Sequence, residues 1–113
     1  MEMKRIRAVF FVGDGGEAPV RKWLLSLSKA DRKFIGTDIC QVEFGWPLGL
    51  PVCRGLGDGL WEVRSHISDG RISRVLFGIV DGEMVLLHGF IKKTAKTPKQ
   101  EHDLALKRLR MIR

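Results

Sequence analysis

The stretch "ISRVLFGIVDGEMVLLHGFI", residues 72–91, decides the fold of this chain. It consists of two runs rich in β-branched, leucine and aromatic residues, separated by the dipeptide Asp81-Gly82. Asp-Gly is a preferred dipeptide for the type I′ turn that joins two antiparallel strands. The stretch therefore predicts a β-hairpin with strands at 72–80 and 83–91.

A further strand is predicted immediately before this hairpin. "LWEVRSHI" (60–67) alternates loosely between two faces, and "SDGR" (68–71) is a turn signal. Three consecutive strands joined by tight turns form an antiparallel meander. In this meander Arg64 and Arg74 lie on adjacent strands.

The first half of the chain predicts one strand and two helices. "RIRAVFFVG" (5–13) has the composition of a strand, and Pro19 suits the first turn of a helix. Ser28, followed three residues later by Asp31, resembles the capping box that starts a second helix, which ends at Gly45. Two helices joined by so short a turn form an antiparallel hairpin. The apolar residues at helical spacing in the second helix are Ala30, Phe34, Ile35, Ile39 and Val42.

The end of the chain predicts a closing helix, with Thr97 as its N-cap and Pro98 in its first turn. Its predicted apolar stripe is Ala105, Leu109 and Ile112, and its predicted solvent face is Lys107, Arg108, Arg110 and Arg113. The resulting order is β-α-α-β-β-β-α. The sequence thus predicts an α+β fold, in which an antiparallel sheet packs against a helical hairpin and a C-terminal helix. We expect residues 1–113 to form a single domain.

The charge of the chain is compatible with an anionic partner, and we expect a cytoplasmic protein. The formal net charge is +7, and residues 92–113 contain eight Lys or Arg against Glu101 and Asp103. A nucleic acid, an acidic protein and a merely solvated basic helix all fit this charge. The apolar runs are too short to span a bilayer, and no secretory signal is visible. Cys40 and Cys53 lack metal-site spacing, and we interpret them as reduced thiols.

Familiar catalytic motifs are absent from the sequence. "GDGG" (13–16) lacks the Lys-Ser/Thr of a phosphate-binding loop, the three histidines have no metal-site spacing, and the chain contains no tyrosine. An enzyme of this composition would act mostly through Arg and Lys, with His as a further candidate. Such groups can support RNA cleavage by attack of a 2′-hydroxyl on the adjacent phosphate, because cations stabilise the developing negative charge.

The candidate residues for such chemistry come from the meander and the segment after it. Arg64, Arg74, Lys92, Lys93 and Lys96 could converge at one end of the sheet, although all five also fit ordinary exposed positions. Arg74 is the hardest to dismiss, because it lies inside an apolar strand where a charge is costly. Within "LLHGF", His88 fits either a hydrogen-bonded core residue or a catalyst, and Phe90 fits either the core or a base-stacking role.

One long motif resembles a known family. "GLWEVR" and "RVLFGIVDGEMVLLHGFIKKTAKTPKQEHDLALKRLR" are similar to the RelE/ParE superfamily of toxins from bacterial type II toxin–antitoxin modules. The resemblance is closest to the HigB-type, phage-derived branch, whose members carry "LLHGFxKKTxKTPxxEIxxA". It is strong over residues 55–110, and the predicted order of elements agrees with the RelE-like fold.

The resemblance implies a toxin that cuts mRNA in the ribosomal A site, without a cofactor or metal, and that is silenced by a cognate antitoxin. The antitoxin would carry a helix-turn-helix domain and would make the only link to DNA, and no membrane contact is expected. By motif position, the implied catalytic residues are Arg74 and Lys93, with His88 or a lysine for proton transfer. The implied RNA-binding residues are Arg64, Lys92, Lys96 and Phe90.

Two departures from RelE itself accompany the resemblance. Leu60 and Glu62 stand where RelE has a lysine pair, and the C-terminal tyrosine of RelE has no counterpart here. Two alternatives on the same fold therefore remain open. One is a ParE-like protein that inhibits DNA gyrase by binding, and the other is an inactive relic that binds its antitoxin.

Overall fold

A computed structural model of the chain describes residues 3–49, 51–92 and 97–113. The elements in chain order are β1 (Arg7–Phe10), α1 (Pro19–Leu25), α2 (Lys29–Gly45), β2 (Cys53–Gly57), β3 (Leu60–His66), a 3₁₀ turn (Ser68–Gly70), β4 (Ile72–Val80), β5 (Glu83–Ile91) and α3 (Lys99–Arg110). Within those three ranges, no helix has both the length and the apolar character that a membrane span requires.

The strands form one sheet in the order β1-β5-β4-β3-β2. Strands β2 to β5 are antiparallel neighbours, whereas β1 pairs in parallel with β5. The predicted α+β fold with a mostly antiparallel sheet, a pair of helices and a closing helix is confirmed. The predicted meander is also confirmed, and Arg64 lies directly opposite Arg74.

The hairpin that decided the fold forms as expected. Asp81 and Gly82 have φ angles of 51° and 77°, which is the left-handed conformation that both central positions of a type I′ turn require. A bulge after Leu76 shifts the register of β4 against β5, so that Leu76 faces His88 and Phe77 faces Leu86.

Strand β2 is absent from the predicted order, and the prediction was incomplete on this point. Its sequence is "CRGLG", and glycine weakens the strand signal because it has no side chain to pack. The structure shows why glycine is needed at one of these positions. A Cβ on Gly55 would lie 3.2 Å from the ring of Trp61 on the neighbouring strand.

Helices α1 and α2 cover one face of the sheet. The predicted start of α2 is confirmed, since the Ser28 hydroxyl accepts a hydrogen bond of 3.1 Å from the Asp31 amide. Ile35, Ile39 and Val42 are buried as predicted. The apolar spacing was wrong at Ala30 and Phe34, which are both exposed, because the helix turns Asp31 and Ile35 inward. Phe34 is 49% exposed.

Helix α3 covers part of the opposite face, where Leu60, Leu76, Leu87, Ala105, Leu106 and Leu109 form a second core. Two predictions about this helix were wrong. It begins at Lys99 with Pro98 at the N-cap, so Thr97 is not its cap. Arg108 is not on the solvent face, because its Nη1 donates a hydrogen bond of 2.7 Å to the carbonyl oxygen of Leu87.

Candidate functional site

The face of the sheet that α3 leaves partly open carries the charged residues. Because side chains alternate along a strand and directly opposed residues share a face, the pairing places these groups in two rows. One row is Arg54, Glu62, Leu76 and His88, and the next is Arg64, Arg74 and Phe90. Each row crosses from one strand to the next, so residues distant in sequence become neighbours.

A buried ion pair lies at the centre of this face. Arg74 and Glu62 are 1% and 0% exposed, and Nη1 of Arg74 donates to Oε2 of Glu62 at 3.1 Å. Burial lowers the pKa of Arg74, while the charge of Glu62 acts in the opposite direction. Glu62 therefore explains why a charged residue can lie inside the apolar strand β4.

Two further groups hold the same carboxylate. Nη2 of Arg54 lies 3.1 Å from Oε1 of Glu62. The Thr97 hydroxyl donates to Oε2 of Glu62 at 2.9 Å and accepts from Nη1 of Arg74 at 2.8 Å. Glu62 thus connects β2, β4 and the residue two positions before α3.

Lys92 lies beside these arginines. Its amide donates a hydrogen bond of 2.7 Å to the carbonyl oxygen of Ile72, which extends the pairing of β5 with β4 by one residue. The pKa of Lys92 is lowered, first by burial and then by the positive charges of Arg74 and Arg64. We call Arg54, Arg64, Arg74 and Lys92 the basic cluster. Glu62 lies at the centre of this cluster. Because the cations outnumber this one anion, the site as a whole is positively charged.

His88 and Phe90 border the basic cluster on β5. Their rings stack with centroids 5.7 Å apart and an interplanar angle of 22°. Nε2 of His88 contacts Oε2 of Glu101 on α3, and Nδ1 lies 3.5 Å from Nη1 of Arg108. Both ring nitrogens of His88 are therefore engaged by side chains of α3.

The structure brings together most of the residues that the sequence singled out. Arg64, Arg74, Lys92 and Phe90 lie on one face of the sheet, and His88 lies on the same face under α3. Lys93 and Lys96 lie outside the described residues. Within the described part of the chain, no group of three or more His, Cys, Asp or Glu residues could hold a metal ion.

Sequence reasoning missed three members of this site. Arg54 was overlooked because β2 was not predicted. The alternation of β3 predicts that Glu62 lies on the face of Arg64, but its pairing with Arg74 was not predicted. Thr97 was interpreted as a helix cap, because the pair Thr-Pro before a helix is a common cap signal.

This α+β architecture, with helices on both sides of a five-stranded sheet, is consistent with the RelE-like fold. Residues 22–110 match the family described as phage-derived protein Gp49-like (DUF891), and the chain belongs to this family of RelE/ParE-like toxins. The match extends from α1 to the end of α3 and includes the whole basic cluster. No curated protein matches the chain.

Proposed function

We propose that this protein is the toxin of a type II toxin–antitoxin module of the HigB type, and that it cuts mRNA on the ribosome. The observation that carries this proposal is the basic cluster, in which Arg64, Arg74 and Lys92 meet on one face of the sheet. Guanidinium and ammonium groups so placed bind the phosphates of a single RNA strand.

The proposed reaction uses the nucleophile of the substrate. The 2′-oxygen attacks the adjacent phosphorus, a bond forms between them, and the bond from phosphorus to the 5′-oxygen breaks. The products are a 2′,3′-cyclic phosphate and a 5′-hydroxyl. One proton leaves the 2′-hydroxyl for a base, and another reaches the 5′-oxygen from an acid. The ribosome would supply much of the positioning.

The charges of the site suit the phosphate at this step. Arg64 and Lys92 are partly exposed and can contact the RNA, whereas Arg74 is 1% exposed. We assign Arg74 to stabilising the negative charge that develops on the phosphate. Arg74 is buried below the exposed cations, where a low dielectric strengthens its attraction for this charge. Lys93 would act with it, Lys96 would hold the strand, and Phe90 would stack on a base.

The proton-transfer group is better assigned to a lysine than to His88. Glu101 and Arg108 engage both ring nitrogens of His88. The lowered pKa of Lys92 makes its ammonium a readier proton donor, and its neutral amine more available as a base, than those of an ordinary lysine. Lys92 is therefore our first candidate, with His88 as the second.

The proposed partner is a cognate antitoxin with a helix-turn-helix domain. An acidic segment of the antitoxin laid over the basic cluster would block RNA and would be attracted by the same charges. This arrangement would make the antitoxin and the mRNA compete for one surface.

The test is cleavage of a defined mRNA by the purified protein, with and without bacterial ribosomes, mapped by primer extension. We expect cuts at A-site codons that require ribosomes. The double variant Arg64→Ala/Lys92→Ala should cut about 100-fold more slowly. The matched control, Arg21→Ala/Lys22→Ala, removes two exposed cations from α1, which packs on the other face of the sheet, and should cut at the normal rate.

Other results would assign the protein differently. Equal cutting by both double variants would contradict a role for the basic cluster. Intact mRNA together with blocked DNA supercoiling would indicate the ParE-like alternative. Intact mRNA and normal supercoiling, with the antitoxin still bound, would indicate an inactive relic.

A further inference from the structure

The Thr97 hydroxyl has an unusual pair of partners. It accepts a hydrogen bond from the guanidinium of Arg74 and donates one to the carboxylate of Glu62, at 2.8 and 2.9 Å. A hydroxyl has one proton to donate, and Thr97 directs it to an anion while its lone pair faces a cation. Both bonds are therefore charge-assisted and stronger than neutral ones.

The hydroxyl of Thr97 does not cap α3. The helix begins with Pro98 at its N-cap and has no side-chain hydrogen bond there. Thr97 lies one residue before the N-cap, and its side chain contacts the ion pair on β3 and β4 instead.

The three groups form a closed triangle. Arg74 contacts Glu62 directly at 3.1 Å, and Thr97 bridges the same nitrogen and the same oxygen of that pair. One hydrogen bond would leave a guanidinium free to pivot about it, whereas a second acceptor beside the first fixes the direction of Nη1. Arg54 contacts the other oxygen of Glu62 and so limits rotation of the carboxylate.

We infer that Thr97 and Glu62 are positioning residues, which hold the Arg74 guanidinium in the orientation that RNA cleavage needs. This inference rests on the function proposed above. Neither residue touches the RNA, and both act through Arg74. The threonine of the "KTP" motif thus belongs to the site as well as to the start of α3.

The first experiment compares Thr97→Val with Thr97→Ser in ribosome-dependent cleavage. Valine keeps the shape and removes the hydroxyl, whereas serine keeps the hydroxyl. We expect kcat of Thr97→Val to fall about 10- to 100-fold with KM nearly unchanged, since the lost interaction matters in the transition state. Thr97→Ser should recover most of this loss. Thr37→Val, an exposed position on α2, is the matched control and should behave as wild type.

The second experiment separates positioning from folding by using Glu62→Gln. Glutamine keeps the shape and removes one negative charge from the basic cluster. We expect binding of a 2′-O-methylated RNA, which cannot be cut, to be equal or tighter, while cleavage falls. Loss of folding would weaken both together, so opposite changes cannot come from unfolding. This measurement also tests the positioning role if Thr97→Val does not fold.

The outcomes are distinct. A normal kcat for folded Thr97→Val beside an active wild type would overturn the positioning role alone. Parallel loss of binding and cleavage in Glu62→Gln that circular dichroism shows to be folded would do the same. A wild type that leaves mRNA intact on ribosomes would overturn the proposed function and the positioning role with it.

Discussion

Glu62 allows several cations to lie on one face of the sheet. Arg54 and Arg74 both contact its carboxylate, and Arg64 lies directly opposite Arg74. Without a central anion these like charges would repel one another across short distances in a poorly solvated region. Removing one partner of a buried ion pair costs about 3–5 kcal/mol, because it leaves the other charge uncompensated. The same residue therefore stabilises the folded state and, in the proposed function, orients Arg74.

The two cysteines differ in exposure, and Glu62 also affects one of them. Cys53 is 0% exposed, and burial together with the negative charge of Glu62 raises the pKa of its thiol to about 11. The thiolate is the reactive form. Cys53 should therefore be unreactive for two reasons: reagents cannot reach it, and its thiol stays protonated. Cys40 is only half-buried.

We therefore predict that a thiol reagent at pH 8 labels Cys40 and leaves Cys53 unmodified in the folded protein. Mass spectrometry should show one label per chain before unfolding in guanidinium chloride and two after it. The variant Cys40→Ser should then take no label while folded. Rapid labelling of folded Cys40→Ser would contradict the burial of Cys53.

At the scale of elements, α1 approaches the sheet closely at one glycine. A Cβ on Gly89 of β5 would lie 2.4 Å from the Trp23 ring, so the ring must move if the residue is enlarged. A glycine at this position lets the indole lie directly on the strand.

Gly89→Ala should accordingly destabilise the protein by about 1–3 kcal/mol, which is the usual cost of overpacking. Gly36→Ala is the matched control, because Gly36 is an exposed position inside α2 with nothing within 4 Å of an added Cβ. That change should stabilise by up to about 1 kcal/mol through helix propensity. Chemical denaturation measures both values, and equal effects of the two variants would contradict the close contact with Trp23.

Asp31 joins the first turn of α2 to the 3₁₀ turn between β3 and β4. Its Oδ1 accepts from the Ser68 amide at 3.0 Å, and its Oδ2 accepts from Nη2 of Arg71 at 2.7 Å. The Ser68 amide is the main cause of a lowered pKa at Asp31, and the charge of Arg71 contributes to it. A lowered pKa in the folded state means that ionised Asp31 stabilises the fold.

The sign of the pH dependence follows from this shift. The stabilisation is complete above the unfolded pKa of Asp, about 3.9, and is lost as the pH falls through the lower folded pKa. The Tm of Asp31→Asn should be lower than that of wild type at pH 7. This difference in Tm should disappear as the pH falls through this window. Asp38→Asn, on the same helix, is the control. A gap in Tm that stays constant down to pH 2 would show that ionisation of Asp31 is irrelevant.

The elements that sequence reasoning predicted well are those with local signals. The hairpin at 72–91 carries its turn dipeptide and both its strands within 20 residues, and the Ser28 cap lies within four residues of its partner. Strand β2 has a weak local signal because it contains two glycines, and one of them, Gly55, lies against the ring of Trp61 on another strand. The role of Thr97 also depends on residues far away in sequence. Thr97 before Pro98 resembles a capping signal in the sequence, whereas in the structure its hydroxyl contacts the site. Local spacing cannot show which of these two roles the hydroxyl has.

At the scale of the whole molecule, the uneven distribution of charge makes the proposed binding to RNA sensitive to salt. The chain carries a formal net charge of +7, and the basic cluster is concentrated on one face of the sheet. Each phosphate neutralised on a single strand contributes about 0.7 to the slope of log K against log salt concentration.

We predict that Arg64→Ala lowers this slope by about 0.7 for a 2′-O-methylated single-stranded RNA. Lys107→Ala, an exposed position on α3, should leave the slope unchanged. Fluorescence anisotropy titrations at several salt concentrations measure both. Equal slopes for the two variants would place the RNA elsewhere on the protein.

The parallel pairing of β1 with β5 has a consequence for folding while the chain is being synthesised. Arg7 pairs with Glu83, which is made 76 residues later, at about 5–20 residues per second. The first strand must therefore wait about 4–15 s for its neighbour. Thr97, which completes the triangle with Arg74 and Glu62, emerges later still. A nascent chain therefore lacks this triangle until residue 97 has been made. If the proposed function holds, the chain could not cut mRNA on the ribosome that makes it before that point.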